Sequence, residues 1–373
     1  MTTEPSVAPP GAGGDLMPLH GIDHVELWTG NAAQAAFFYV NALGFTEVAY
    51  AGLETGVRDR VSHVLEQGGI RLVLTGALVP GHEIGDHHRR HGDGVRDIAL
   101  SVPDAAHAYR TALARGARGV REPREAAGED GVVRLATIAT YGDTLHTFVE
   151  RRDYTGAFLP GFEPREDATP DAGLLTLDHI VGNVELGHMN TWVKFYEDVF
   201  GMKEMLHFSD EAISTEYSAL MSKVVTDGNG RVKFPINEPA EGKRKSQIDE
   251  FLEFYGGPGA QHLAVATRDI VRTVTELRDR GVEFLNIPDS YYDEVPERIG
   301  EIEESLEDLR RLGILVDRDD EGYMLQIFTK PVGDRPTMFF EVIERHGARG
   351  FGEGNFKALF EAIEREQERR GNL

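Results

Sequence analysis

Three residues of this chain combine into a set that could hold a metal ion: His179, His262 and Glu341. Each lies in a strand-like stretch, in Asp178-His179-Ile180, Gln261-His262-Leu263 and Phe340-Glu341-Val342. Two neutral imidazoles and one carboxylate leave coordination positions free on one face, the arrangement used for non-haem Fe(II) and oxygen chemistry. Taken singly, each has an ordinary reading. A strand histidine is commonly a hydrogen-bonded core residue, and Glu341 could face water while Phe340 and Val342 face inward. Their joint placement argues for the metal. A carboxylate sharing a strand face with Phe339 and Ile343 is costly unless a metal or partner compensates it.

The placement is that of an internal repeat. Asp23-His24-Val25 leads into a helical segment ending Phe38-Tyr39 to Gly44, and Asp178-His179-Ile180 into one ending Phe195-Tyr196 to Gly201. Gly94-Val95-Arg96-Asp97-Ile98-Ala99 then matches Gly259-Ala260-Gln261-His262-Leu263-Ala264, and Arg115-Gly116 matches Arg280-Gly281. Where the second copy has His179, His262 and Glu341, the first has His24, Asp97 and Thr147. One half retains the set and the other has lost it, which leaves His24 a structural residue.

Elements of two periods must carry these residues. His24 to Trp28, Ile70 to Leu74, Ile98 to Val102 and Leu145 to Val149 read as strands; Ala32 to Leu43 and Ala105 to Ala114 read as helices. Trp192, Phe195, Tyr196, Val199 and Phe200 form one apolar helical stripe, and Phe356, Leu359, Phe360 and Ile363 form another on a C-terminal helix. The organisation is α+β, with four strand–helix–strands units in two pairs. Residues 1–18 read as a flexible leader, 19–152 as the first domain, 153–173 as a linker and 174–373 as the second domain. Pro160, Pro164 and Pro170 lead to the expectation that the linker lacks regular elements.

Composition narrows the chemistry. The 373 residues carry a formal net charge of −24, which repels nucleic acid and anionic membrane surfaces. There is no cysteine, so His, Asp and Glu are the side chains left to bind a metal. No apolar run reaches the roughly twenty residues of a membrane span, and a cytoplasmic protein is expected. His87-His88-Arg89-Arg90-His91 resembles a metal tract, but its arginines would repel a cation and its flanking glycines point to a solvated loop. Gly350 to Phe356 suggests a phosphate loop but lacks the preceding strand such a loop requires.

From about Leu19 onward the chain resembles the 4-hydroxyphenylpyruvate dioxygenase family of the vicinal-oxygen-chelate superfamily. The resemblance rests on Leu177-Asp178-His179-Ile180, Phe234-Pro235-Ile236-Asn237-Glu238-Pro239, Lys243-Arg244-Lys245-Ser246-Gln247-Ile248 and Gln261-His262-Leu263-Ala264. It continues through Leu325-Gln326-Ile327-Phe328, Phe339-Phe340-Glu341 and Gly350-Phe351-Gly352-Glu353-Gly354-Asn355-Phe356. It implies duplicated βαβββ modules, four in two pairs, each pair an open barrel-like half, plus a C-terminal helix. One Fe(II) per chain would be held by His179, His262 and Glu341, with no 2-oxoglutarate, because the substrate is itself a 2-oxo acid. 4-Hydroxyphenylpyruvate and O₂ would yield homogentisate and CO₂ by decarboxylation, ring hydroxylation and side-chain migration, a step of tyrosine and phenylalanine catabolism.

The resemblance also assigns polar substrate contacts to Ser218, Asn237, Gln247, Gln261, Gln326 and Asn355, and an aromatic wall to Phe328, Phe339, Phe351 and Phe356. Gln261 fits strict alternation only if a bulge or strand start turns it to the same side as His262. A homo-oligomer, dimer or tetramer, is implied. The nearest alternative, a 4-hydroxymandelate synthase, shares fold, ligands and substrate but usually replaces the residues matching Pro235 and Phe356; this chain keeps both. A non-catalytic binding protein on the scaffold would have lost the ligands in every unit, and an extradiol dioxygenase would lack the Gly350–Phe356 segment.

Overall fold

A computed structural model describes residues 17–167, 171–208, 219–240 and 245–372. Most of the leader, the 168–170 stretch of the linker, and Ser218, Lys243 and Arg244 lie outside the described residues. The first half runs β1 (Gly21–Trp28), α1 (Ala32–Asn41), β2 (Thr46–Ala51), β3 (Arg60–Gln67), β4 (Ile70–Ala77), α2 (Glu83–His91), β5 (Gly94–Ser101), α3 (Ala105–Ala114), β6 (Gly119–Gly128), β7 (Gly131–Ala139) and β8 (Leu145–Tyr154). After β9 (Glu163–Asp167) comes the second half: β10 (Thr176–Asn183), α4 (Met189–Phe195), β11 (Lys203–Phe208), β12 (Ala219–Thr226), β13 (Lys233–Ala240), α5 (Gln247–Tyr255), β14 (Gly259–Ala266) and α6 (Ile270–Asp279). Two inserted helices, α7 (Asp289–Ile299) and α8 (Leu306–Leu312), precede β15 (Leu315–Arg318), β16 (Tyr323–Phe328), β17 (Phe339–His346) and the terminal α9 (Phe356–Arg370).

The fold is α+β, and its two sheets repeat one topology. The first has the order β6-β7-β8-β5-β1-β4-β3-β2-β9, and the second β11-β12-β13-β10-β14-β17-β16-β15. Reversing the second list superposes the two strand by strand, with β9 as the extra member. In each half the opening strands of two modules pair antiparallel, β1 with β5 and β10 with β14. The last strand of each module returns parallel to its first, as β17 does beside β14.

Bulges recur at the same points. In β10 the register skips between Leu177 and His179, leaving Asp178 as the extra residue, and β1 skips likewise across Asp23. A second skip pairs Val181 with His262 but Gly182 with Ala260, so Gln261 is the extra residue of β14. This is the bulge that Gln261 requires. An extra residue re-aims its side chain, so Gln261 and His262 both reach one cavity.

The halves interlock through matching positions. Tyr39 of α1 packs edge-on against Phe340 of β17, with ring centroids 5.9 Å apart. Tyr196, the residue corresponding to Tyr39, donates its hydroxyl to His146 Nε2 (2.9 Å) on β8. His146 Nδ1 donates to the Ile98 carbonyl (2.8 Å), and burial pushes the ring pKa down to about 4, leaving it neutral and able to accept. One continuous apolar core holds both helices and both sheets.

Three expectations need correction. Residues 153–173 are not free of regular structure: β9 pairs antiparallel with β2, and Ala157 to Phe162 fold back over the first sheet, burying Phe158. Proline is tolerated there because β9 is an edge strand. His87 to His91 form the last turn of α2 rather than a solvated loop. His87 packs on Trp28, and His91 donates Nδ1–H to the Tyr255 carbonyl at 2.6 Å. The stripe from Trp192 begins as an α-helix but closes in a π-turn over residues 196–200.

Gly182 marks how tightly the halves meet. A Cβ built there would lie 2.6 Å from the ring of the fully buried Tyr141, which belongs to the first half. Gly182→Ala is expected to lower unfolding stability by about 1–3 kcal/mol through overpacking, measured by urea denaturation.

Candidate metal centre and cavity

His179 on β10, His262 on β14 and Glu341 on β17 come from three adjacent strands and point to one spot on the concave face of the second sheet. All three are buried, and their ligand atoms lie within 4.8 Å of one another. Glu341 Oε2 is 3.1 Å from His179 Nε2 and 3.4 Å from His262 Nε2. Donors bound at about 2.0–2.2 Å and at right angles stand about 3 Å apart, so the spacing suits a shared metal.

The outer nitrogens are fixed from behind. His179 Nδ1 donates to Asp178 Oδ1 (2.8 Å), and His262 Nδ1 to Gln261 Oε1 (3.0 Å). Each inward Nε2 of a neutral ring therefore presents a lone pair to the same carboxylate oxygen. Such a contact needs a cation between the atoms, a proton or a metal. Burial opposes charge on Glu341, but the two imidazoles outweigh it and hold its carboxyl at about 2. Burial also opposes a charged His179, yet Glu341 and Asp178 raise its pKa; at His262 burial prevails and lowers it. A metal between them would satisfy all three donors, and two imidazoles with one carboxylate suit a first-row transition metal.

Support continues outward. Burial works against Asp178, but His179 and Arg345 hold its carboxyl well below the usual range. Arg345 binds it with two parallel hydrogen bonds, of 2.8 and 2.9 Å, and Lys233 adds a third cationic contact at 3.3 Å. Partners of this kind set the tautomer and ring orientation of a ligating histidine.

The centre opens on a mostly apolar cavity, partly open to solvent, with a few polar groups converging on it, the character of a small-molecule site. Pro235, Asn237, Gln247, Gln261, Phe328, Phe339, Phe351 and Phe356 all line it. Phe339 stacks on His262 at 4.8 Å, and Phe351 meets His179 edge-on at 4.9 Å. A capping box between Ser246 and Asp249 starts α5 and places Gln247 at the wall.

Gln326 and Asn355 stand elsewhere. Gln326 is buried beneath Gly352, where a Cβ would come within 2.4 Å of its amide nitrogen, and that amide has no hydrogen-bond partner among the described residues. Asn355 turns its carbonyl to the Tyr291 hydroxyl (2.6 Å), behind the cavity wall. Val181, Leu220, Ser222 and Val224 line the cavity without having been singled out from sequence, and Leu359, Phe360 and Ile363, read there only as a helical stripe, line it too. Ser222 was accessible to the repeat, because it pairs with Asn237 as Ser62 pairs with Thr75.

Comparison with known proteins agrees with this geometry. The sequence model of the Glyoxalase/Bleomycin resistance protein/Dioxygenase superfamily matches residues 21–140 and 176–327. A 4-hydroxyphenylpyruvate dioxygenase of Dictyostelium discoideum is 48% identical over 367 residues, covering 95% of this chain and 100% of that protein. One of Yarrowia lipolytica is 47% identical, covering 95% and 93%. The chain belongs to the 4-hydroxyphenylpyruvate dioxygenase family. Among solved structures, a mutant of 4-hydroxymandelate synthase from Streptomyces coelicolor is similar with a TM-score of 0.86 and 37% identity, covering 94% of this chain and 100% of that one.

Within this dioxygenase fold the first half closes its own counterpart of the site. Phe158 packs edge-on to His24 at 5.0 Å, and Phe158, Leu159 and Phe162 fill the concave face against Val64 and Val73. Those two valines stand where the second half has Val224 and Pro235 at its cavity. Asp97 accepts hydrogen bonds from the Thr147 backbone (2.9 Å) and hydroxyl. Burial raises its pKa to about 6, with Thr147 and His24 pulling the other way. A raised folded pKa favours the protonated acid, so that stability is full below about 4 and lost as pH rises through 6. Asp97→Asn is therefore expected to be more stable than wild type at pH 8, by about 2–3 kcal/mol, with the difference vanishing near pH 4. Denaturation midpoints across this pH range test it.

Proposed function

We propose that this chain is a 4-hydroxyphenylpyruvate dioxygenase that converts 4-hydroxyphenylpyruvate and O₂ to homogentisate and CO₂, with one Fe(II) held by His179, His262 and Glu341. The observation that carries the reading is that this buried His-His-Glu set opens directly on a cavity walled by aromatic rings. When bound, the metal supplies the redox chemistry and a template for the substrate's 2-oxo acid group. The chain's residues do the rest. Asp178 and Gln261 hold the outer imidazole protons and so keep both Nε2 atoms turned inward. Phe328, Phe339, Phe351 and Phe356 pack the substrate ring and exclude water, while Asn237, Gln247 and Gln261 offer hydrogen bonds to its polar ends. Phe356, Leu359, Phe360 and Ile363 of α9 close the remaining side. A cytoplasmic homo-oligomer, dimer or tetramer, belongs to the same reading and rests on the family resemblance.

Iron analysis and substrate-dependent oxygen uptake test this proposal, with homogentisate as the expected product. Glu341→Gln and His262→Ala are each expected to abolish turnover and stoichiometric iron while leaving the far-ultraviolet circular dichroism unchanged. His24→Ala is expected to keep one iron per chain, because Asp97 and Thr147 do not complete a second site. Two irons in the wild type, one lost in this variant, would contradict that assignment.

A second reading, 4-hydroxymandelate synthase, is favoured by the solved neighbour of that name. Pro235 and Phe356, the residues retained from the dioxygenase pattern, both face the cavity. An aromatic contact is worth about 0.5–1.5 kcal/mol, and about 1.4 kcal/mol is a tenfold rate ratio, enough to redirect a partition between two carbons. Phe356→Ile is expected to shift product from homogentisate toward 4-hydroxymandelate, with oxygen uptake less affected. Homogentisate alone, made by a variant with a lowered melting temperature, would make Phe356 a packing residue.

A further inference from the structure

We propose that Arg345 is a positioning residue that couples His179 to the segment closing the cavity, so that metal loading tightens the Gly350–Phe351 wall. The inference rests on the metal reading above. One guanidinium stands at the centre of the path. It grips Asp178 through Nε and Nη2 at 2.8 and 2.9 Å, and Asp178 in turn accepts from His179 Nδ1 at 2.8 Å. Its remaining nitrogen, Nη1, donates to the carbonyls of Gly350 (2.7 Å) and Ala348 (3.2 Å). The guanidinium carbon lies 5.6 Å from the centre of the Phe351 ring, which returns to His179 edge-on at 4.9 Å. The path is closed: ligand, carboxylate, guanidinium, wall, ligand. A rotation of the imidazole moves the Asp178 carboxylate, and a planar fork holding both oxygens passes that motion to the two carbonyls. A lysine ammonium has neither the fork nor the reach to do both.

The first half separates this coupling from simple clamping. Arg151 grips Asp23 at 2.7 and 2.9 Å, donates to the Phe158 carbonyl and lies 5.1 Å from the Phe158 ring, while Asp23 accepts from His24 at 2.7 Å. The same device thus holds a loop over the concave face in a half where Asp97 and Thr147 replace two of the ligands. In the second half the loop it holds is the wall of an open cavity, and the histidine at its other end faces the Glu341 carboxylate. Only there can metal binding act on the wall.

The test uses the full chain stripped of metal and titrated with Co(II), an air-stable stand-in for Fe(II). Co(II) affinity is read from its visible spectrum, and wall closure from tryptic cleavage at Arg349 and Lys357. In the wild type, saturating Co(II) is expected to slow this cleavage at least tenfold. Arg345→Lys is expected to bind Co(II) roughly 10- to 100-fold more weakly and, at saturation, to be cleaved as fast as its metal-free form. Arg151→Lys is expected to keep wild-type affinity and protection. Should Arg345→Lys fail to fold, Arg345→Gln is read in its place with the same expectations. Full protection in the Arg345 variant at saturating Co(II), or Co(II) binding without protection in the wild type, overturns the coupling alone. A wild type that binds no Co(II) overturns the metal reading and the coupling with it.

Discussion

Glu341 turns one carboxylate oxygen toward two imidazole nitrogens inside a buried site, and the surrounding structure answers that demand for a cation. The two Nε2 contacts, at 3.1 and 3.4 Å, are tolerable only because the Nδ1 positions are committed elsewhere, to Asp178 and Gln261. Both partners are supernumerary residues of β-bulges. In a regular ladder each would point to the far face of the sheet, and the imidazoles would lose their anchors. The bulges are thus part of the chemistry. They let neighbouring residues in sequence serve as a ligand and its support.

The duplicated plan explains why those bulges can be maintained. Each half supplies an aromatic residue to a matching place in the other, Tyr39 to Phe340 and Tyr196 to His146, so both sheets are braced from their outer sides. Phe340 belongs to the same strand as Glu341 and faces the core while Glu341 faces the cavity. The first half thereby fixes the strand that carries the carboxylate.

The sequence was most legible where periodicity and repetition agree. The four modules and the ligand set emerge from the Asp-His repeats and from strand alternation, whereas the cavity wall follows from the family resemblance. Legibility failed where a side chain's surroundings come from distant segments. His87 and His91 lie in a string of charged and glycine residues, and only Trp28 and Tyr255, remote in sequence, make them core residues. Asn355 sits in a motif beside Phe356, yet a turn of 3₁₀ helix aims it at Tyr291. The 153–173 stretch looks like a proline-rich connector because nothing local reveals that Phe158 is bound for His24.

The course of that connector bears on function. The Phe158 and Phe351 segments are counterparts, each held by an arginine on the Asp of an Asp-His pair and each laying a ring against the histidine. The two part company beyond the ring. After Phe158 the chain adds Leu159 and Phe162 to the same concave face and then runs on as β9 at the sheet edge, and the first barrel is filled. After Phe351 it turns at Gly352, which adopts a positive φ above Gln326, and leaves as α9 across the cavity mouth. The second barrel stays hollow because its covering chain passes over the cavity instead of entering it. Loss of the ligands in the first half and filling of its interior are therefore mutually consistent: a buried His-His-Glu set there would meet side chains where a metal site needs open positions.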